Sequence, residues 1–235
     1  MTNDERMPPK LRGFRISSLV IGLGSWRFLA LICFAAGSLL GQTTALYQND
    51  FEKAEIGKAP PDLFVLEGAF TVQEESGNKF LELPGAPLDS FTVLFGPTES
   101  SNVLVLANIL GTAKGRRFPT FGVGLNGGGG FKLQLSPGKK LLEILKDQEV
   151  KASANYEWTS GQWTTLRLQV RRLKDGAWKV EGKAWTKGTA EPNEWMLAYE
   201  QADEPPAGRA SLFGSPFAGT PIRFDDLAVL STAHR

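Results

Sequence analysis

The chain has 235 residues, with 26 Lys and Arg against 25 Asp and Glu, and a formal net charge of +1. A balance this close to neutral argues against nucleic acid as the main partner. A single cysteine, Cys33, and a single histidine, His234, leave no disulfide and no zinc site of His or Cys ligands, and an imidazole on the penultimate residue is a poor base for a Ser-His-Asp hydrolase.

The first 45 residues differ in kind from the rest. Arg6, Lys10, Arg12, Arg15 and Arg27 precede an uncharged, apolar run of 13 residues over 28–40. A helix needs about 20 residues to cross the hydrocarbon core, so this run fits the h-region of a signal peptide. The small and polar residues Gln42, Thr43, Thr44 and Ala45 suit cleavage after Ala45. A second apolar patch over 16–23 leaves an uncleaved signal anchor as the alternative. Ile32, standing before Cys33, argues against a lipoprotein site. The expectation for 1–45 is therefore export to the periplasm or the exterior, with membrane contact only if this segment is retained. Setting it aside removes five basic and two acidic residues and leaves 21 against 23. Roughly 190 residues remain, enough for a domain that buries about 70% of its unfolded surface without cross-links.

From Leu46 onward short stretches alternate apolar with polar residues between turns rich in Gly, Pro, Asn and Asp, which is a strand pattern. Strands are predicted over 46–50, 69–74, 79–83, 91–95, 102–110, 120–125, 130–136, 140–146, 149–155, 164–173, 177–186, 194–200, 209–213 and 222–230. The phase assigns faces. Phe131, Leu133 and Leu135 oppose Lys132 and Gln134; Leu166, Leu168 and Val170 oppose Arg167, Gln169 and Arg171; Trp178, Val180 and Ala184 oppose Lys179, Glu181 and Lys183. Strands apolar on one side must pack face to face or close into a barrel. The expected fold is all-β: a two-sheet antiparallel jelly-roll sandwich over 46–232, with 233–235 as a tail. Asp175-Gly176 reads as the clearest hairpin turn, with Asn126-Gly127 and Pro137-Gly138 as further turns.

Gly122, Gly124 and Gly127 spell G-x-G-x-x-G, but more glycines and another strand follow where a dinucleotide site needs a helix. Gly122 and Gly124 leave one strand face bare, open to a ligand or another backbone. In 222–230 Asp225 shares its phase with Leu227 and Val229, which points it inward, where a cation or backbone donors would relieve the cost of a buried carboxylate. Asp50 and Glu52 end the first strand, and with Asp225 and loop carbonyls around Gly57 they would suit a structural Ca²⁺. Sugar rings stack on exposed aromatic planes, and Trp185 shares the polar phase of Glu181 and Lys183, with Trp195 and Tyr199 following and Arg171 on the polar phase of its own strand. Pro192 packed between Trp185 and Trp195 explains the two rings equally well. Trp163 is expected to plug the end of the sandwich.

The stretches Gly182-Lys183-Ala184-Trp185, Glu191-Pro192 with Trp195, 208–214, 222–229, Asn49-Asp50-Phe51-Glu52 and Gly161-Gln162-Trp163-Thr164 resemble the concanavalin A-like, laminin-G-like domains of bacterial exported proteins, over nearly all of 46–230. The resemblance implies a lectin/glucanase β-sandwich and places Asp225 where related glucanases hold a structural calcium. Their catalytic acidic run is missing here. A non-catalytic extracytoplasmic module binding a glycan or cell-surface polymer is the leading expectation. The alternatives are a glycan-active hydrolase of the keto-disaccharide type and a structural or adhesion module without a small ligand.

Overall fold

The structure, a computed structural model, describes residues 44–232. The leader up to residue 43, with Cys33, and the tail at 233–235, with His234, lie outside the described residues. Fifteen strands form among the described residues: β1 (Thr44–Asn49), β2 (Phe64–Glu67), β3 (Thr71–Glu75), β4 (Asn78–Leu83), β5 (Phe91–Glu99), β6 (Val103–Leu110), β7 (Thr120–Leu125), β8 (Phe131–Ser136), β9 (Leu141–Lys146), β10 (Glu149–Asn155), β11 (Trp163–Arg172), β12 (Trp178–Thr186), β13 (Leu197–Gln201), β14 (Gly208–Ser215) and β15 (Ile222–Ser231). A 3-10 turn, Pro137–Lys139, joins β8 to β9. No helix among the described residues is long and apolar enough to cross a membrane.

The strands make two antiparallel sheets. One runs β13-β12-β11-β6-β15-β4-β3, with β1 also pairing β15; the other runs β10-β9-β8-β7-β14-β5-β2. The chain crosses between the sheets at β1–β2, β2–β3, β4–β5, β5–β6, β6–β7, β10–β11, β13–β14 and β14–β15, which is the expected sandwich. Both inner faces feed one core: Val105, Ile109, Leu166, Leu168, Val180 and Phe224 from the first sheet, Phe95, Phe121, Val123, Phe131, Leu133 and Leu212 from the second, all fully buried. At Gly182 the sheets approach so closely that a Cβ would stand 2.6 Å from a Leu133 methyl. The strand phases named from sequence hold for β8 and β11; in β12 the apolar phase faces the core as expected, but Glu181 and Lys183 on the polar phase are buried as well, at 4% and 5% exposed, under their ion-pair partners and Trp195.

Strand β2 has no counterpart among the sequence expectations. Its four residues form an edge beside β5, and both Phe64 and Leu66 are exposed, so an apolar residue on the wet side hides the alternation. Asp175-Gly176 does form the hairpin turn: Gly176 has φ +93, and Ala177 N–H donates to Asp175 Oδ1 at 3.1 Å.

The orientation of Asp225 differs from expectation. Its pairing slips between Asp225↔Asn108 and Ala228↔Leu106, a β-bulge with Asp226 at φ +50. The extra residue lets Phe224, Leu227 and Val229 all face inward, while Asp225 faces outward beside Asn108. Trp163 is corrected too. It stands opposite Leu110 on the outer face of the first sheet, its ring 6.3 Å from that of Phe80, rather than closing the sandwich end.

Candidate functional site

The outer face of the first sheet is laced with internal ion pairs. Glu191 bridges Arg167 at 2.5 Å and Lys183 at 2.7 Å, and both cations lie over the Trp195 ring, at 5.9 and 4.8 Å. Lys183 also donates to the Pro192 carbonyl at 2.7 Å. Burial works to raise the Glu191 carboxyl, but the two cations outweigh it and hold the group below its ordinary range. Trp185 lies on this face opposite Thr165, two residues from Lys183. Arg171 is six residues along β11 from Thr165, about 20 Å at strand spacing, and donates to Glu181 at 2.8 Å. Tyr199 pairs with the inward Val180 and packs its ring 6.2 Å from Phe131, on the core side of β13. Of the four ligand-binding candidates, Trp185 and Trp195 therefore lie near each other, and Arg171 and Tyr199 lie elsewhere.

The bulge of β15 has its own network. Asp225 is 2% exposed; Oδ1 accepts from Asp226 N–H at 2.8 Å, and Oδ2 from Asn78 at 3.3 Å. Lys187 stands 3.9 Å from Asp225 and 2.7 Å from Asp226, which also accepts from Asn108 at 2.7 Å. Burial, reinforced by the Asp226 charge, raises the Asp225 carboxyl above its ordinary value against the pull of Asn78, the Asp226 N–H and Lys187. Glu52 accepts from Lys79 N–H at 3.0 Å and Asp50 from Glu52 N–H at 3.2 Å. The adjacent donors Asn78 and Lys79 thus tie Asp225 and Glu52 to one corner. Each of the three carboxylates proposed for calcium already faces an N–H donor. No group of three or more His, Cys, Asp or Glu among the described residues is arranged to hold a metal ion. Beside this corner a cleft of about 790 Å³ is lined by Asn49, Asp50, Asp62, Lys53 and Asp226 among others. Its wall is held by Tyr47, which donates to Asp62 at 2.6 Å; burial and that acceptor keep the Tyr47 phenol above its ordinary range.

The outer face of the second sheet is different. Gly122 leaves a hollow there, but the Phe213 ring fills it: a Cβ on Gly122 would stand 2.5 Å from Phe213 Cζ and 2.1 Å from the Leu133 carbonyl. Lys132 covers that ring at 5.2 Å. The bare strand face expected from Gly122 thus admits a neighbouring ring. Towards the sheet end the side chains turn small and polar, and a cleft of about 470 Å³ opens, lined by Ser90, Phe118, Thr120, Gln134, Ser136, Gly138, Lys139, Ser215 and Phe217. Ser90 and Ser215 share a hydroxyl bond of 2.7 Å. Ser136 donates to the buried Glu143 carboxylate at 2.8 Å and accepts from Gln134 at 3.0 Å. Phe118 and Phe217 come from separate loops and are 37% and 46% exposed. Those loops are anchored to each other, since Thr220 donates to the Thr112 carbonyl at 2.6 Å, and Ala113 N–H is held by Ser160 at 2.8 Å. Sequence phase marked Gln134 as polar-facing, but nothing local assigned Phe118 or Phe217. The one signal was an aromatic beside proline in a loop, in Phe118-Pro119 and Pro216-Phe217.

No protein-family model matches the chain, and no curated protein sequence does. Solved structures share its backbone. One is a protein of unknown function with a galectin-like fold from Bacillus subtilis, with TM-score 0.59 and 12% identity over 82% of this chain and 97% of that one. Another is the carbohydrate-binding module CBM66 from Bacillus subtilis, with TM-score 0.51 and 11% identity over 72% and 96%. A third is the metal-free carbohydrate recognition domain of Emp46p, with TM-score 0.51 and 13% identity over 79% and 94%. At these identities the likeness is one of fold alone, a two-sheet antiparallel β-sandwich.

Proposed function

We propose that this protein is a non-catalytic carbohydrate-binding module that takes its glycan in the cleft at the end of the second sheet. The observation that carries this reading is the pair of exposed rings, Phe118 and Phe217, beside a floor of hydroxyl and amide groups. A sugar ring has an apolar face that stacks on aromatics and hydroxyls that need donors and acceptors, and a cleft of this size suits a small part of a glycan. The likeness to a carbohydrate-binding module and a carbohydrate recognition domain supports the same reading. Export is part of the proposal, supported by the basic and apolar residues of 1–45. N-terminal sequencing of the exported protein tests it. Cleavage after Ala45 would remove the first two residues of β1, Thr44 and Ala45, which pair with Ser231 and Leu230.

Screening the purified protein against a glycan array, followed by titration of the hits, is the direct test. We expect at least one glycan to bind, with Phe118→Ala and Phe217→Ala each weakening it about tenfold or more, close to 1.4 kcal/mol. No binding by protein shown to be folded would sink the reading and leave the adhesion module standing. Three aspartates, Asp50, Asp62 and Asp226, line the larger cleft, so the hydrolase alternative belongs there. Release of reducing sugar that Asp62→Asn abolishes would establish it.

A further inference from the structure

We infer that the glycan taken by the second-sheet cleft is anionic, a deduction that rests on the carbohydrate reading of that cleft. The segment entering the cleft rim carries three cations in four residues, Lys114, Arg116 and Arg117 around Gly115, and all are exposed. They form a tight hairpin: Lys114 N–H donates to the Arg117 carbonyl at 3.0 Å and Arg117 N–H returns a bond to Lys114 at 3.1 Å. Gly115, with φ +62, supplies the left-handed first position that such a two-residue turn needs. Lys114 and Arg117 are thereby directly opposed partners. Like charges facing each other across a pair are destabilising. None of the three has an acidic partner among the described residues, whereas the cations around Trp195 and the β15 bulge are all paired.

The hairpin is not a loose tip. Gly161 N–H donates to the Gly111 carbonyl at 2.9 Å, and the bonds of Thr112 and Ala113 hold the same segment to neighbouring loops. The next residue is Phe118, whose ring lies against Gly138, where a Cβ would stand 3.5 Å from it, and Lys139 follows in the cleft lining. Three exposed cations of the hairpin thus lead directly into the aromatic that would hold a sugar ring, and Lys139 stands in the cleft lining beside it. The two acids nearest the cleft accept hydrogen bonds within the fold rather than pairing with the hairpin cations. Glu143 is 3% exposed, accepts from Ser136 and Gln134 and lies 3.9 Å from Lys139, while Asp89 accepts from Ser90 N–H at 2.7 Å. An anion on the sugar next to Phe118 would relieve the repulsion within the hairpin and meet charge on Lys114, Arg116 and Arg117 that no acid among the described residues answers. A uronic acid carboxylate and a sulfate ester both supply that chemistry.

The test titrates the full chain with matched pairs of polymers: polygalacturonate with its methyl ester, and dextran sulfate with dextran. Each uses wild type, a hairpin variant, Lys114→Gln/Arg116→Gln/Arg117→Gln, and a control variant, Arg172→Gln/Lys174→Gln, on the distant β11–β12 turn. We expect a charged member to bind more tightly than its neutral partner, with added salt weakening it. The hairpin variant should weaken that binding about tenfold or more, and the control should leave it unchanged. Binding confined to polygalacturonate assigns a carboxylate; binding confined to dextran sulfate assigns a sulfate. Equal losses in the two variants would reduce the effect to bulk charge and overturn the inference. Tight binding of neutral glycans that the hairpin variant does not alter would overturn it while leaving the carbohydrate reading intact. Failure of every glycan on the array to bind would remove both.

Discussion

The two outer faces of the sandwich differ in which groups they leave exposed. On the first sheet the charges answer one another: Arg167 and Lys183 share Glu191 over Trp195, Arg171 holds Glu181, Arg223 holds Glu82 and Glu75, and Lys187 answers the bulge aspartates. On the second sheet Phe118, Phe217 and the cations of the 114–117 hairpin stay exposed, and the small floor residues leave a cleft. A charge or ring already engaged inside the fold has less to offer a ligand, because any new contact must first replace the old one. Residue type alone would favour the tryptophan-bearing face; the state of its partners favours the phenylalanine-bearing one.

The largest expected effect tests how firmly the second face is built. Gly122→Ala forces a Cβ into the Leu133 carbonyl and the Phe213 ring, and overpacking of this kind should cost about 3 kcal/mol. At roughly 2–4 °C per kcal/mol the melting temperature should fall by about 6–12 °C; a fall of a degree or less would show that the wall between sheet centre and cleft yields. Next comes the contrast between the faces. Phe118→Ala should weaken glycan binding about tenfold with stability within about 0.5 kcal/mol of wild type. Trp195→Ala should cost about 1 kcal/mol of stability through its two lost cation contacts and leave binding unchanged. Calorimetric titration and melting of both variants decide it, and the reverse pattern would exchange the roles of the two faces.

A smaller effect concerns pH. Burial raises the Asp225 carboxyl, so between the ordinary carboxylate range and that raised value the folded state holds a proton that the unfolded state has lost. The contribution of this group is fully present below the unfolded value and is lost as pH rises through the folded one. Asp225→Asn should therefore flatten the decline in stability on going from acid towards neutral pH, read from urea melts at a series of pH values. An undiminished slope would place the titration elsewhere. The smallest expected change comes from a chelator. A calcium ion at Asp225 would have to displace the Asn78 and Asp226 N–H donors and the neighbouring Lys187 charge, so EDTA should leave the melting temperature where it is, while Lys187→Ala lowers it slightly. A chelator-sensitive melt lost in Asp225→Ala would instead assign Asp225, Asp50 and Glu52 to a cation.

Much of the fold was legible in the sequence because strand periodicity is local. Leu166, Leu168 and Val170 against Arg167, Gln169 and Arg171 specify a buried and a wet side without knowledge of any partner, and Asp175-Gly176 carries its own turn geometry. Local phase fails where the backbone breaks its own period. At Asp226 one extra residue, set by pairing with β6 more than a hundred positions away, turned Asp225 from inward to outward. Proximity along the chain also misled at Tyr199, which follows Trp195 closely but faces the core.

By itself, then, the sequence determined an all-β sandwich and the sidedness of its strands. Only the tertiary structure decided which aromatics stay open. Phe118 and Phe217 lie almost a hundred residues apart, and the cleft between the loops that carry them exists because Thr220 reaches the Thr112 carbonyl and Ser215 pairs with Thr120 at the same sheet end. Periodicity reports which side of a strand meets water, whereas a site depends on which loops the sheet order brings together and on which of their groups find no partner within the fold.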